Sequence, residues 1–204
     1  MTEPRRRKNV RLQEHDYSAC GAYFVTICTY EREMFFGRIE NGIMHHNEMG
    51  RIAVEEIAVT NELRKATGIS ITHYVVMPNH VHLIIEIQNV NVGTQRAVSE
   101  NALQHNEFSH IIKCSVSSVV RAYKSAVTKR IRESCNTHTD TCTDRDADAT
   151  DHAHGIANAM LCPHKVWQAR YYDHIIRNEN DHEMIKRYIN DNPSKWQDDR
   201  FCNG

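Results

Sequence analysis

The spacing of apolar residues changes several times along this chain, and each change marks a different element. Tyr23-Phe24-Val25-Thr26-Ile27-Cys28-Thr29-Tyr30 is rich in β-branched and aromatic residues and lies between Gly21 and charged positions, which predicts a buried strand. A short hairpin is expected around Met34 to Met44, with Glu40-Asn41-Gly42 as its turn. Behind Asn47, a good N-cap residue, Met49, Ile52, Ala53 and Ile57 recur at helical spacing, so a first helix is predicted from Glu48 to about Lys65. Ile71 to Met77 and His80 to Ile87 read as strand again. Pro78 interrupts them, and because it cannot donate to a ladder it predicts a strand start or a bulge there.

From about Gln88 to Ser109 the chain turns polar, as a loop would. A second helix is expected from about Ser115 to Glu133, with Val116, Val119, Val120, Tyr123, Val127 and Ile131 on one stripe. Its other face carries Arg121, Lys124, Lys129, Arg130 and Arg132. The segment 134–158 alternates Thr, Asp and His with almost no bulky apolar residue, too little to offset the entropy lost on ordering, and reads as a mobile insertion. Val166 to Tyr172 is the expected last strand, and Asp181 to about Asn192 the last helix, ended by Pro193. Strands and helices in this order, with hairpin-type links, predict an α+β fold in which helices pack on an antiparallel sheet. Residues 16–133 and 159–198 would form one domain, with 1–15 as a basic N-terminal arm.

At 204 residues and 40% hydrophobic content, one well-packed domain is the expectation. No run of about 18 apolar residues occurs, and Met1-Thr2-Glu3-Pro4-Arg5-Arg6-Arg7-Lys8 lacks the apolar stretch of a signal peptide, so a soluble protein of the cytoplasm is expected, with no membrane partner. The seven cysteines are odd in number and never spaced Cys-x-x-Cys; neither a disulfide framework nor a zinc ribbon is indicated. A net charge of −1 would argue against nucleic acid if it were evenly spread, but Arg5, Arg6, Arg7, Lys8 and Arg11 crowd the start. A second basic run, from Lys113 to Arg132, holds no acidic residue until Glu133. Both read either as phosphate-contacting surfaces or as ordinary solvated faces.

Chemistry concentrates in two places. In Met77-Pro78-Asn79-His80-Val81-His82, residues two apart on a strand share a face, so two imidazoles converge and could give two nitrogens to a divalent metal. The plainer alternative is two ordinary polar-face histidines. In Tyr188-Ile189-Asn190-Asp191-Asn192-Pro193, residues four apart on a helix stack, which sets a carboxamide beside a phenol. Tyr188 also reads as one more packed aromatic with a wet hydroxyl. Asp144, Asp146 and Asp148 are no EF-hand, since Ala149 stands where the turn glycine is needed. A zinc site from His138, His152, His154, Cys135 and Cys142 is less favoured than a solvated linker.

Taken in order, Gly21 to Thr29, Met77 to His82, Tyr123-Lys124-Ser125-Ala126-Val127-Thr128, Trp167-Gln168, Tyr172 to Arg177 and Tyr188 to Pro193 resemble the motifs of the single-tyrosine HUH transposases, most of all the branch associated with repetitive extragenic palindromes (REP). The resemblance spans about Asp16 to Trp196. It implies a ferredoxin-like or RRM-like sheet with the histidine pair on a central strand, Tyr188 as nucleophile, and His80, His82 and Asn192 as ligands of Mg²⁺ or Mn²⁺. Nitrogen ligands suit Mn²⁺, while Mg²⁺ prefers oxygen. It further implies a 5′-phosphotyrosine intermediate, strand rejoining, single-stranded or hairpin DNA as partner, and a monomer or homodimer. Arg5, Arg6, Arg7, Lys8, Arg121, Lys124, Lys129 and Arg130 would then contact phosphates. The segment 134–158 has no counterpart in that pattern. Two other functions compete: a domesticated protein that binds palindromic DNA or structured RNA without cutting, and a hydrolase in which His80 and His82 activate water.

Overall fold

A computed structural model describes residues 16–88, 114–139 and 162–198. The basic arm, most of the polar loop and positions 140–158 of the expected insertion lie outside the described residues. The elements run β1 (Gly21–Cys28), β2 (Gly37–Glu40), β3 (Ile43–His46), α1 (Glu48–Arg64), β4 (Ile69–Met77), β5 (His80–Ile87), α2 (Val116–Thr139), β6 (Tyr172–Ile176) and α3 (Glu179–Asp191). Four strands form one sheet in the order β4-β5-β1-β6, every neighbouring pair antiparallel. With β2 and β3 set apart as a separate hairpin, the remaining order is βαββαβ, the split arrangement of ferredoxin-like folds, followed by α3 as an added helix. The α+β reading of the sequence therefore holds.

Alternation along the central strands divides the sheet into two faces. Tyr23, Val25 and Ile27 of β1 and Val81, Leu83, Ile85 and Ile87 of β5 point to α1 and α2, where they join Ile52, Ala53, Ile57, Val119, Val120, Tyr123 and Val127 in the main core. Phe24, Thr26 and Cys28 with His80, His82 and Ile84 point the other way, toward α3. A bulge in β4 between Ile71 and His73 resets the alternation. Ile71 thus stays in the main core while His73 and Val75 turn to the α3 face.

Local chemistry explains most boundaries. The β2–β3 turn is the expected Asn41-Gly42 pair, both with positive φ, 52° and 75°, the combination of a type I′ turn. Asn47 caps α1 by accepting the backbone N–H of Gly50 at 2.9 Å. Gly50 has no substitute, because a Cβ there would lie 2.1 Å from the Phe36 carbonyl oxygen.

Three expectations need correction. Pro78 marks neither a strand start nor a bulge: with Asn79 it forms the two-residue turn between β4 and β5, Met77 pairing with His80, a position where its fixed φ helps. The second helix does not stop at 133 but runs to Thr139, so the first six residues assigned to the insertion are helical. Ser134 donates to Glu48 of α1 and Cys135 packs on the core, contacts that outweigh a composition poor in apolar residues. The last strand is Tyr172–Ile176, not 166–172. Val166 and Trp167 are buried, but Trp167 makes only an isolated bridge to Thr29, wedges between Phe36 and Tyr123, and donates its indole N–H to the Lys124 carbonyl at 3.1 Å. Burial without a ladder had the look of a strand.

Candidate active site

The Pro78-Asn79 turn delivers His80 as the first residue of β5 and His82 two residues on, side by side on the α3 face. Both are almost completely buried. Their Nε2 atoms lie 3.1 Å apart. Each Nδ1 has an oxygen partner: His80 with Asn79 Oδ1 at 2.9 Å, and His82 with the hydroxyl of Thr26, its cross-strand neighbour on β1, at 2.8 Å. The rings are also wedged from outside. Trp196, in a 3₁₀ turn just after α3, stacks on His80 at 6.0 Å and 26°, and Phe24 lies 5.1 Å from His82.

Helix α3 crosses this face. Asn178 caps it by accepting the N–H of Asp181 at 2.8 Å, and Ile189 anchors it to Ile84 and Ile176. Tyr188 therefore stands over the histidines, its hydroxyl 3.3 Å from His82 Nε2 and its ring edge-on to Phe24 at 6.0 Å. It remains 41% exposed, unlike a core tyrosine such as Tyr123. Phenol and imidazoles meet within one chain. Asn192 follows one turn later at the C-cap of α3 and is buried.

The donor set suits a cation. A neutral imidazole carries one N–H and one lone pair, and with both protons on the Nδ1 atoms that face oxygens the two Nε2 lone pairs would converge where a cation could lie between them. Histidine ligands commonly hold an oxygen partner on the far nitrogen, and here both do. A buried pair of nitrogens with outer oxygens in place fits a divalent metal with nitrogen affinity.

Three residues of this arrangement, Thr26, Phe24 and Trp196, were not singled out from sequence as part of a site, and Asn79 was quoted only inside its motif. The alternation of β1 carried the signal for the first two, since Phe24 and Thr26 share the face opposite the core residues. Trp196 had none, as its contact depends on the turn after Pro193. The sequence reading also missed Glu179, His182 and Glu183 at the start of α3, whose donor atoms lie within 4.8 Å of one another. Glu183 is neutralised there by Lys186 at 2.6 Å.

The cations expected on DNA are dispersed. Arg5, Arg6, Arg7 and Lys8 lie outside the described residues. The other four belong to α2, on the opposite side of the sheet from the histidines. Arg130 is bound to Glu55 and Glu56 of α1, and Lys124, pushed below its usual value by burial, donates to the carbonyls of Gln168 and Ala169. Lys129 makes a loose 3.8 Å pair with Glu133, and Arg121 is exposed. Near the site, Tyr172 is exposed on β6 opposite Thr26, and His174 bonds Asp181, holding that carboxyl below the usual range. None of the five cysteines among the described residues forms a disulfide, and no helix among those residues is long and apolar enough to cross a membrane.

Fold and site together define an α+β protein whose antiparallel sheet presents a buried histidine pair to a tyrosine on a late helix. Among known proteins, an uncharacterized protein of Haemophilus influenzae is 30% identical to this chain over 196 residues, 96% of this chain and 92% of that protein. The chain belongs to the same family as that protein. No protein-family model matches it. Among solved structures, a REP-associated tyrosine transposase bound to a REP hairpin is 18% identical with a TM-score of 0.48, over 96% of this chain and 74% of the other. A Deinococcus radiodurans protein is 14% identical with a TM-score of 0.40, over 88% and 96%. Likenesses this distant leave the chemistry to the chain's own residues.

Proposed function

We propose that this protein is a metal-dependent, single-tyrosine DNA nuclease and strand transferase of the HUH type, acting on single-stranded or hairpin DNA. The observation that carries the reading is the approach of the Tyr188 hydroxyl to 3.3 Å from His82 Nε2, itself 3.1 Å from His80 Nε2. The ordered motifs from Gly21 to Pro193 support it independently.

A phenol with an ordinary pKa near 10 is a weak nucleophile at neutral pH, so position and charge must supply what basicity does not. Mg²⁺ or Mn²⁺ held by His80, His82 and Asn192 would polarise the scissile phosphate and offset charge developing on it. Phe24 and Ile189 fix the angle of Tyr188, and its partial exposure leaves the hydroxyl open to a strand lying across the sheet. Attack of the phenolic oxygen on phosphorus forms a 5′-phosphotyrosine, joining Tyr188 to the 5′ phosphate of the downstream fragment as the bond to the 3′ oxygen breaks. The phenolic proton is lost, and the departing 3′ oxygen takes a proton to become a hydroxyl. Because one phosphodiester replaces another, the reverse step rejoins strands without a nucleotide cofactor. Arg121 and Lys129 on α2, with the arm of Arg5 to Lys8, are the proposed phosphate contacts, and a single chain suffices for the chemistry.

Purified protein incubated with end-labelled hairpin DNA and Mn²⁺ should yield an adduct that survives denaturation, and Tyr188→Phe should yield none. Equal adduct from both proteins removes Tyr188 as nucleophile. Cleavage without adduct points to the hydrolase, and binding without cleavage to the domesticated binder.

A further inference from the structure

We propose that the first turns of α3 and the end of β5 form a second divalent-cation site, in which His182, Glu86, Glu179 and Glu183 hold a manganese- or zinc-like ion and tie the helix that carries Tyr188 to the sheet. The inference stands apart from the reading of the histidine pair. Glu86 lies four residues beyond His82 on the same face of β5, about 13 Å away at the usual rise of a strand.

Helical spacing brings three of the four side chains together. Glu179, His182 and Glu183 stand at i, i+3 and i+4 on α3, and their donor atoms lie within 4.8 Å of one another. The sheet supplies the fourth, since Glu86 Oε1 is 3.6 Å from His182 Nε2. That is too long for a hydrogen bond, but two donors on one cation stand roughly 3–3.5 Å apart when each bond is about 2.0–2.2 Å. Both side chains are largely enclosed, His182 17% and Glu86 25% exposed. Glu86, Glu179 and His182 also line one open pocket of about 330 Å³.

The decisive atom is His182 Nε2, which is buried and makes no hydrogen bond. Attraction to the positive end of a helix accounts for Glu179 in the first turn. It does not account for an imidazole nitrogen withdrawn from water among carboxylates with nothing bonded to it. His73 on β4 holds a second such nitrogen, Nδ1, and its ring lies edge-on to His182 at 6.3 Å. Charge points the same way. Three carboxylates meet two cations, Arg177 lining the pocket and Lys186 on Glu183 Oε1 at 2.6 Å, and the carboxylate of Glu183 has a second oxygen to offer an ion. A mixed set of nitrogen and oxygen donors suits manganese or zinc better than magnesium.

The test counts Mn²⁺ bound to the full-length protein at pH 7.5, from the electron paramagnetic resonance of the ion left free. To isolate the new site, His80 and His82 are both changed to Gln. That protein should still bind one ion, and Mn²⁺ should raise its melting temperature. Adding His182→Gln should weaken binding more than about 10-fold, the smaller loss seen even for an outer partner of a ligand, and abolish the rise. In the wild-type background the same substitution should lower the count by one ion. Glu179→Gln, at an exposed position, should weaken binding too, while Lys186→Gln, which releases Glu183, should tighten it about 5-fold, the scale of one partly exposed ion pair. No ion on the His80→Gln/His82→Gln protein with no loss from the wild-type count in His182→Gln, or an affinity that neither His182→Gln nor Glu179→Gln changes, overturns the inference and leaves His182 and Glu86 as a plain ion pair. If the site binds Mn²⁺ but wild type never forms a DNA adduct, the nuclease reading fails while this one stands. If adduct forms and this site binds nothing, the reverse holds.

Discussion

The two faces of the central sheet are built from the same strands and differ in almost everything else. The face under α1 and α2 is a continuous apolar layer, with Val25, Ile27, Val81, Leu83, Ile85 and Tyr123 at or near zero exposure. The face under α3 holds a thinner apolar patch, Ile84, Ile176 and Ile189, beside two buried imidazoles, a threonine hydroxyl and a half-open tyrosine. Two helices seal the first. One helix covers the second only in part, and Tyr188 stays 41% exposed there. The main core and the proposed chemistry thus lie on opposite sides of one sheet, and strand period decides which residue faces which side: His82 and Leu83 are neighbours in sequence on opposite sides of that division.

The separation is broken most directly by one substitution on each face. Leu83→Ala should lower unfolding free energy by about 2–5 kcal/mol, the usual range for a truncated core leucine, with DNA chemistry impaired only through loss of folded protein. Tyr188→Phe should change stability by less than about 0.5 kcal/mol while removing the adduct. Urea titrations of both proteins measure this. A Tyr188→Phe protein destabilised as much as Leu83→Ala would mean that α3 is a structural clamp and that the division is false.

Within the helix-covered face, one polar contact sharpens the picture. The Tyr123 hydroxyl donates to the Ala53 carbonyl at 2.8 Å, joining α2 to α1, and burial drives its pKa far above the ordinary value. Tyr123→Phe should cost about 1 kcal/mol, a typical net contribution for such a bond, with no effect on metal affinity. A change in metal affinity would show that the two faces communicate through the sheet.

The same division explains what could be read from the chain. The β1, β5 and α1 patterns were legible because each is strongly periodic, and the histidine pair followed from strand period alone. Asn47 and Asn41-Gly42 were legible as local chemistry that needs no tertiary knowledge. The rest depended on contacts between distant segments. Trp167 is buried among Phe36 and Tyr123 without pairing as a strand, α2 continues past Glu133 where Ser134 bonds Glu48 and Cys135 packs on the core, and Trp196 meets His80 only because of how the chain turns after Pro193. The basic stripe on α2 was visible as charge, but its commitments were not: nothing near Arg130 in sequence announces Glu55 and Glu56.

Those commitments make the next contrast. Arg130→Gln should leave Glu56, whose side chain is 6% exposed, without its ion pair and cost about 1 kcal/mol, allowing for the solvent around the arginine. Its effect on DNA affinity should be small. Arg121→Gln should do the reverse, with unchanged stability and, if it contacts a phosphate, a salt dependence of DNA binding reduced by about one counterion. Filter binding across a salt series with urea titration of both variants separates them. If Arg130→Gln changes the salt slope and Arg121→Gln does not, the exposed side of α2 is not the contact surface.

The smallest expected effect concerns the α3 face alone. His73 in β4 lies edge-on to His182 of α3 at 6.3 Å, with Lys186, Glu86 and Glu183 around it. Burial first, and then the positive charge of Lys186, hold its imidazole below the ordinary value of 6.5. Below about pH 6.5 the unfolded chain therefore binds a proton that the folded chain refuses, and stability falls with pH until the folded-state value is passed. Above pH 6.5 both states are neutral and the contribution is flat. His73→Gln should shrink the difference in unfolding free energy between pH 7.5 and pH 5.5, as measured by urea titration at each pH. Because His73 sits where α3 meets the sheet, loss of that slope together with unchanged behaviour of the main core would place the acid-sensitive part of the molecule on its chemical face. An identical pH difference in wild type and His73→Gln would instead assign the acid response elsewhere.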